Sequence, residues 1–290
     1  MTNLLPQDFQ YVARFIHEHS AISLGPNKSY LVEARLGPIA RRRGLASLSE
    51  LVKRLRMGDA KLRDEVIDAL TTNETWFFRD HHPFELIRTT LLPELIERRR
   101  NQRRLRIWSA ACSSGQEPYT LAMLIDEHFP QLSNWDVEIV ATDISQEILD
   151  RAQEGYYYAH EVSRGLSQST LRRFFTREGS GWRIKASTRE RVRFRKLNLA
   201  SFWAGLGVMD LILMRNVLIY FDETTRLSIM ARVENHMHKD GYLMLGAAET
   251  VAQQCDRFER LPHRLTACYQ MTPARRQKDA SRPGHRPVGL

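Results

Sequence analysis

Cysteine is scarce in this 290-residue chain: Cys112, Cys255 and Cys268 stand far apart, odd in number, with neither a CxxC pair nor zinc-type spacing to histidine. That excludes a disulfide framework and a cysteine-based metal knot, and no metal is expected. Long hydrophobic runs are also missing, since no stretch approaches the roughly 18 apolar residues of a membrane span. The first residues, MTNLLPQDFQ, have neither the basic head nor the small-residue cleavage site of a secretory signal. A cytoplasmic protein with no membrane insertion is the expectation. Internal repeats are absent too. What remains, 42% hydrophobic and 27% charged residues, is the composition of a globular chain long enough for one large domain and a small companion.

Net charge is +9, and it is unevenly spread. Residues 164–196 hold eleven Lys and Arg against two acidic residues, and residues 272–290 hold five against one. Clustering of this kind fits an acidic partner, whether nucleic acid, an anionic membrane surface or a Glu-rich protein face; a solvated surface accounts for it equally simply.

Residues 1–75 read as an all-helical domain: DFQYVARFIHEHS, NKSYLVEARLGPIARRRG, SLSELVKRLRMG and KLRDEVIDALTTN. Ser47 and Glu50 have capping-box spacing, and Gly44 stands where the second helix should stop. Arg35, Arg42 and Arg43 on the second helix, with Lys53, Arg54 and Arg56 on the third, predict a basic face that either docks an acidic surface or is merely solvated. From Arg104 short apolar runs alternate with helical stretches, which predicts a mainly parallel sheet in an α/β domain over 76–271. The runs are LRIWSA, VEIVATD, MDLILMRN and GYLMLGAAE, with RLTACYQM as a last, antiparallel strand. Near 164–197 the alternation breaks: LSQSTLRRFFTR reads as a helix, and GWRIKAS and RVRFRKLNL read as paired strands of a small antiparallel β subdomain. The tail, 272–290, lacks apolar periodicity and is expected to be disordered.

Candidate site residues gather where this pattern places strand ends. After the first strand comes SAACSSGQEPYTLAM, a small-residue loop at the carboxyl edge where open α/β sheets bind ligands. Its lone Gly115 falls short of GxGxxG, so a dinucleotide is disfavoured. Glu117 either complements the dipole of the following helix or faces a ligand's amino cation. Asp143, ending the second strand, either accepts from the two ribose hydroxyls of a nucleoside or caps the helix beginning near Ser145. TTNETWFFRD packs Asn73, Thr75, aromatic residues and Arg79 into a short span that could also be a hinge. RNVLIYFD brings Arg215, Asn216 and Tyr220 to the same edge, although by composition alone Tyr220 reads better as a core aromatic than as a site residue.

NETWFFRD, WSAACSSGQEPYTLAM, ATDIS, KLNL and MRNVLIYFD together resemble the CheR family of chemotaxis receptor methyltransferases, in order and spacing, over residues 5–271. The resemblance implies a Rossmann-like methyltransferase sheet with an N-terminal helical domain and a small antiparallel β subdomain. It also implies transfer of a methyl group from S-adenosylmethionine, leaving S-adenosylhomocysteine, to glutamate carboxylates on the cytoplasmic signalling helices of chemoreceptors. By motif, Asn73, Thr75 and Arg79 would contact the cofactor or the reacting carboxylate, Glu117 the methionine amino group and Asp143 the ribose. Asn198 and Leu199 would sit against the adenine, and Arg215 and Asn216 would line the cleft. Arg79 and Tyr220 would position the substrate.

Two other classes share some of these features. A nucleic-acid methyltransferase would suit the basic charge, but RNVLIYF lacks an Asn-Pro-Pro-aromatic grip for a flipped base, and no aromatic basic platform is present. A non-catalytic cofactor-sensing module would use the same fold, yet Arg79, Glu117, Asp143 and Tyr220 are all retained. The GSG loop before Trp182 is shorter than in family members that grip a C-terminal receptor pentapeptide. Docking without that tether, through the basic helices, and a monomeric chain are the expectations.

Overall fold

The computed structural model describes residues 4–251 and 257–272. Cys255 and the basic tail from 273 lie outside the described residues. The chain opens with α1 (Pro6–Ser20), α2 (Ser29–Arg42), α3 (Leu48–Arg56) and α4 (Ala60–Leu70). Pro6 starts α1 at a position whose N–H has no helical partner in any case. Ser47 and Asp59 cap α3 and α4 by accepting from the Glu50 and Leu62 amides. Glu50 reaches back to the Ala46 amide, one residue before the position that a strict capping box uses. Gly44, with φ +66°, ends α2 as expected. Val12, Leu36, Leu51 and Leu62 close a core among these helices, with Ile144 of the α/β domain packed against it.

Most of the arginines that predicted a basic docking face are occupied inside this unit. Arg35 donates to the Thr71 carbonyl at 2.7 Å, and Arg43 bridges Asp59 and Glu65 at 3.0 and 2.9 Å. Arg54 pairs with Glu50, and Arg56 pairs with Asp8 and lies over the Tyr11 ring. The face is a network of mixed sign: Glu50 lies one turn before Arg54 on α3, while Asp8, Asp59 and Glu65 come from α1 and the start and body of α4, which sequence spacing alone does not bring near.

The chain continues through α5 (His82–Leu86), a π-helical turn (Ile87–Leu91) and α6 (Leu92–Arg99) to β1 (Arg104–Ala110). Next come α7 (Gln116–His128), β2 (Asp136–Asp143), α8 (Gln146–Glu154), β3 (Tyr156–Tyr158) and α9 (Ala159–Ser163). They are followed by α10 (Gln168–Phe174), β4 (Phe175–Glu178), β5 (Gly181–Ile184), α11 (Ala186–Arg189) and β6 (Val192–Lys196). The last elements are β7 (Met209–Met214), α12 (Glu223–His236), β8 (Met237–Leu245), β9 (Phe258–Arg260) and β10 (Ala267–Met271). Among the described residues, seven strands form one sheet in the order β6-β2-β1-β7-β8-β10-β9. The first five run parallel, and β10 is antiparallel as expected. Central β7, MDLILM, is buried at every position, as a parallel strand covered on both faces must be. One face packs Ile107, Tyr119 and Leu211; the other packs Trp108, Trp203 and Ile212.

Three of these expectations need correction. β5 does not pair with RVRFRK; it pairs with β4 across Gly179 and Ser180 and with β3 on its other side. VRFRK within it is β6: the chain leaves the small sheet through α11, and β6 joins the outer edge of the large sheet parallel to β2. Period-two alternation marks a strand but not its partner, and Phe175–Arg177, read as the end of a helix, belong to strand β4 because that segment pairs with β5. GYLMLGAAE is strand only as far as Leu245.

Asp210, on β7 and 2% exposed, accepts from Arg99 Nε at 2.6 Å and from the Arg106 amide at 2.8 Å. Arg99 also holds Asp240 on β8, and these hydrogen bonds raise its pKa further. Removing one partner of a buried pair leaves the other charge unpaired. Arg99→Ala is expected to lower stability by about 3 kcal/mol, measured by urea unfolding, and a loss under about 1 kcal/mol would contradict this role.

Candidate active site

Parallel strands deliver their carboxyl ends to one edge, and around β1, where the connections diverge to β2 and β7, that edge opens as a crevice. The cleft there encloses about 850 Å³ including its open mouth, within the range of small-molecule sites. Asn73, Thr75, Arg79, Glu117, Asp143, Asn198, Leu199, Arg215, Asn216 and Tyr220 all line it. Every site residue anticipated from the sequence therefore reaches one cavity.

The loop after β1 is tighter than its glycine content suggests. Ala111, Ser113 and Gly115 all take positive φ, 55°, 52° and 91°. This alternation brings the backbone close to the cleft, and the Ser113 amide donates to Asp143 at 2.9 Å. A side chain at Gly115 would start 3.0 Å from Ala152 and 3.1 Å from Tyr119. Asp143 also accepts from the Ser145 amide at 3.1 Å, while Ser145 itself caps α8. Burial pushes the Asp143 carboxyl above the ordinary range, against the pull of these amides.

Glu117, in the first turn of α7, accepts from Ser109 Oγ and from Arg215, each at 2.8 Å. The Arg215 guanidinium also donates to Asp80 at 2.8 Å and to the Arg79 carbonyl at 2.9 Å. That second grip matters because Phe78, Asp80 and His81 all have positive φ, 52°, 68° and 52°. Each such residue stores on the order of 1–3 kcal/mol. Arg79 sits inside this strained turn; its guanidinium donates to the Glu74 carbonyl at 2.7 Å and lies 4.4 Å from the Trp76 ring centre.

Some lining residues do more than their motif suggests. The Asn198 amide donates to the His19 carbonyl at 2.8 Å, and its oxygen accepts from the Ala200 amide at 2.9 Å. Its side chain thus pins the end of α1 to the large sheet, and Leu199 is buried beside it. Ser20 and Ile22, just past α1, line the same cleft. Sequence reasoning missed both, because the contact that places them is an isolated bridge from Ile22 to distant Phe221. Glu249, whose carboxylate accepts from the Asn216 amide at 2.6 Å, was also missed.

Residues 73–266 match the family described as CheR methyltransferase, SAM binding domain, and residues 7–71 match CheR methyltransferase, all-alpha domain. The chain belongs to the CheR methyltransferase family. It is 45% identical to chemotaxis protein methyltransferase 1 of Pseudomonas aeruginosa over 87% of this chain and 93% of that protein. A chemotaxis protein methyltransferase of Pseudomonas putida is 43% identical over 87% of this chain and 93% of its own length. One from Vibrio parahaemolyticus is 40% identical over 87% and 92%. S-adenosylmethionine is the methyl donor of this CheR-family enzyme. The cleft suits such a group: Asn216 Oδ1, Arg79 Nε and Arg215 Nε are buried without a hydrogen-bond partner among the described residues, as expected of a site that receives a polar ligand. No helix among the described residues is long and apolar enough to cross a membrane.

Arg215→Leu would leave Glu117 buried without its cation and release the strained turn at Arg79. We expect a loss of about 3–5 kcal/mol in chemical unfolding, with weakened S-adenosylhomocysteine binding in calorimetry. Unchanged stability and affinity would refute the clamp.

Proposed function

We propose that the chain transfers the methyl group of S-adenosylmethionine to the side-chain carboxylate of specific glutamates on the cytoplasmic signalling helices of bacterial chemoreceptors, forming methyl esters. What carries this reading is Arg79, a guanidinium held at the cleft by Glu74 and Trp76 with Tyr220 lining the same cavity. When bound, S-adenosylmethionine supplies an electrophilic sulfonium methyl group. A glutamate is already ionised at neutral pH, so the protein need provide no strong base. Its task is alignment and desolvation, and orientation alone can supply roughly 7–11 kcal/mol. Arg79 pairs with the incoming carboxylate and Tyr220 hydrogen-bonds it without taking a proton.

In this reading Glu117 accepts from the methionine amino group on lone pairs that Ser109 and Arg215 leave open. Asp143 accepts from the ribose hydroxyls, and Asn73 and Thr75 line the path between cofactor and carboxylate. Leu199 packs on the adenine, while Asn198 holds that wall in place through its bonds to His19 and Ala200. Arg215 and Asn216 shape the opposite side.

We also read docking as independent of a C-terminal receptor pentapeptide. In support, the β4–β5 turn consists only of Gly179 and Ser180, between strands of four residues each.

With labelled cofactor and a receptor cytoplasmic fragment, base-labile methyl esters should form, and Arg79→Ala should lower kcat about 100-fold or more. Label on RNA, or none on protein, would refute the substrate. Calorimetry with the receptor pentapeptide should show no binding in the micromolar range; binding there would overturn the tether-free reading.

A further inference from the structure

A buried carboxylate outside the cleft lining carries a role that no site motif anticipates. Glu249 is 3% exposed and follows β8 by four residues. Its Oε1 accepts from the amides of Leu218 at 2.7 Å and Ile219 at 3.3 Å, and its Oε2 from those of Asn216 at 2.6 Å and Gly246 at 2.7 Å. A carboxylate offers about four lone-pair sites, so these four amides fill it. We propose that Glu249 is a positioning residue that holds the segment from Asn216 to Tyr220 in the shape the active site uses.

The segment needs such a hold. Asn216 adopts φ +57°, a left-handed conformation that asparagine tolerates better than most residues but that still has to be held against the extended and helical alternatives. Directly after it, Leu218–Tyr220 form a single 3-10 turn with no side-chain cap of its own, so its leading amides lack partners within the turn. Glu249 supplies those partners from the exit of the neighbouring strand. The approach is close: a Cβ at Gly246 would lie 2.7 Å from both Asn216 Nδ2 and Glu249 Oε2, so only glycine fits. Asn216 and Tyr220 both line the cleft, so a shift of this backbone moves two of its walls together.

The chemistry distinguishes a carboxylate from its closest mimic. Glutamine at 249 fills the same space, yet in either orientation its NH2 group points at two amide N–H donors. Glu249→Gln therefore inverts one half of the clamp while leaving the packing alone. Gly246→Ala disturbs the same clamp sterically.

The effect on turnover rests on the function proposed above; the effect on cofactor binding does not. Full-length Glu249→Gln and Gly246→Ala should bind S-adenosylhomocysteine at least about tenfold more weakly by calorimetry, the scale of one lost charge-assisted hydrogen bond. With a receptor fragment, kcat should fall about 100-fold while KM for the fragment changes little, as displaced alignment predicts. A role in stability alone would lower the melting temperature and leave affinity and kcat of the folded protein as in the wild type. Wild-type affinity in folded Glu249→Gln overturns the proposal, and so does loss of the fold in both variants. If the wild-type enzyme esterifies no receptor glutamate, the substrate reading fails while the binding arm still decides the role of Glu249.

Discussion

The buried guanidinium of Arg215 is the contact on which the rest of the site depends. With its side chain 1% exposed, it joins the start of α7 through Glu117, the strained turn through Asp80 and the Arg79 carbonyl, and the exit of β7 on which it stands. A planar fork holds its donors in fixed directions toward three partners, whereas a lysine ammonium is a compact point charge on a flexible stem. Its position over the Phe84 ring, 5.4 Å from the centre, adds a further constraint on its plane. The cost of burying that cation is offset by two carboxylates that would otherwise be left unpaired. What the arrangement delivers is Arg79 at the cleft, on a backbone that would not hold its conformation alone.

The helical unit is part of this cleft rather than a separate module strung before it. Ser20 and Ile22 line the cavity, the Ser23 amide donates to the Tyr220 carbonyl at 2.9 Å, and Asn198 anchors the end of α1. His17 meets Asp222 at 2.9 Å, and this hydrogen bond, with that of the Thr225 amide, holds the Asp222 carboxyl down at about 2. The residue after Tyr220, Phe221, bridges to Ile22. Tyr220 is thus gripped from two directions, by the N-terminal unit on one side and by the turn that Glu249 caps on the other.

Much of this was legible in the linear chain because the signals are local. Helix signals at Ser47 and Gly44, the parallel-sheet pattern of LRIWSA and MDLILM, and the places of Glu117 just after the first strand and Asp143 at the end of the second all depend on neighbours within a few residues. The pairing of β5 and the place of β6 were not legible, since alternation shows which residues face inward but never which strand lies alongside. Nor were the ion pairs of the N-terminal arginines. Asp8 reaches Arg56 only after α1 and α3 have packed, and Asp59 and Glu65 reach Arg43 only after α2 and α4 have.

The sequence by itself determined the family, the methyl donor and the membership of the cleft, because five motifs in order each carry backbone and chemical requirements within a short span. Tertiary structure alone decided how those residues are held: that Arg215 clamps Arg79, that Asn198 ties two units together, and that Glu249 caps a distant turn. Each of these is a hydrogen bond between segments far apart in the chain. The physical reason is that a buried donor or acceptor must find a partner wherever folding places one, and nothing in local composition says where that will be.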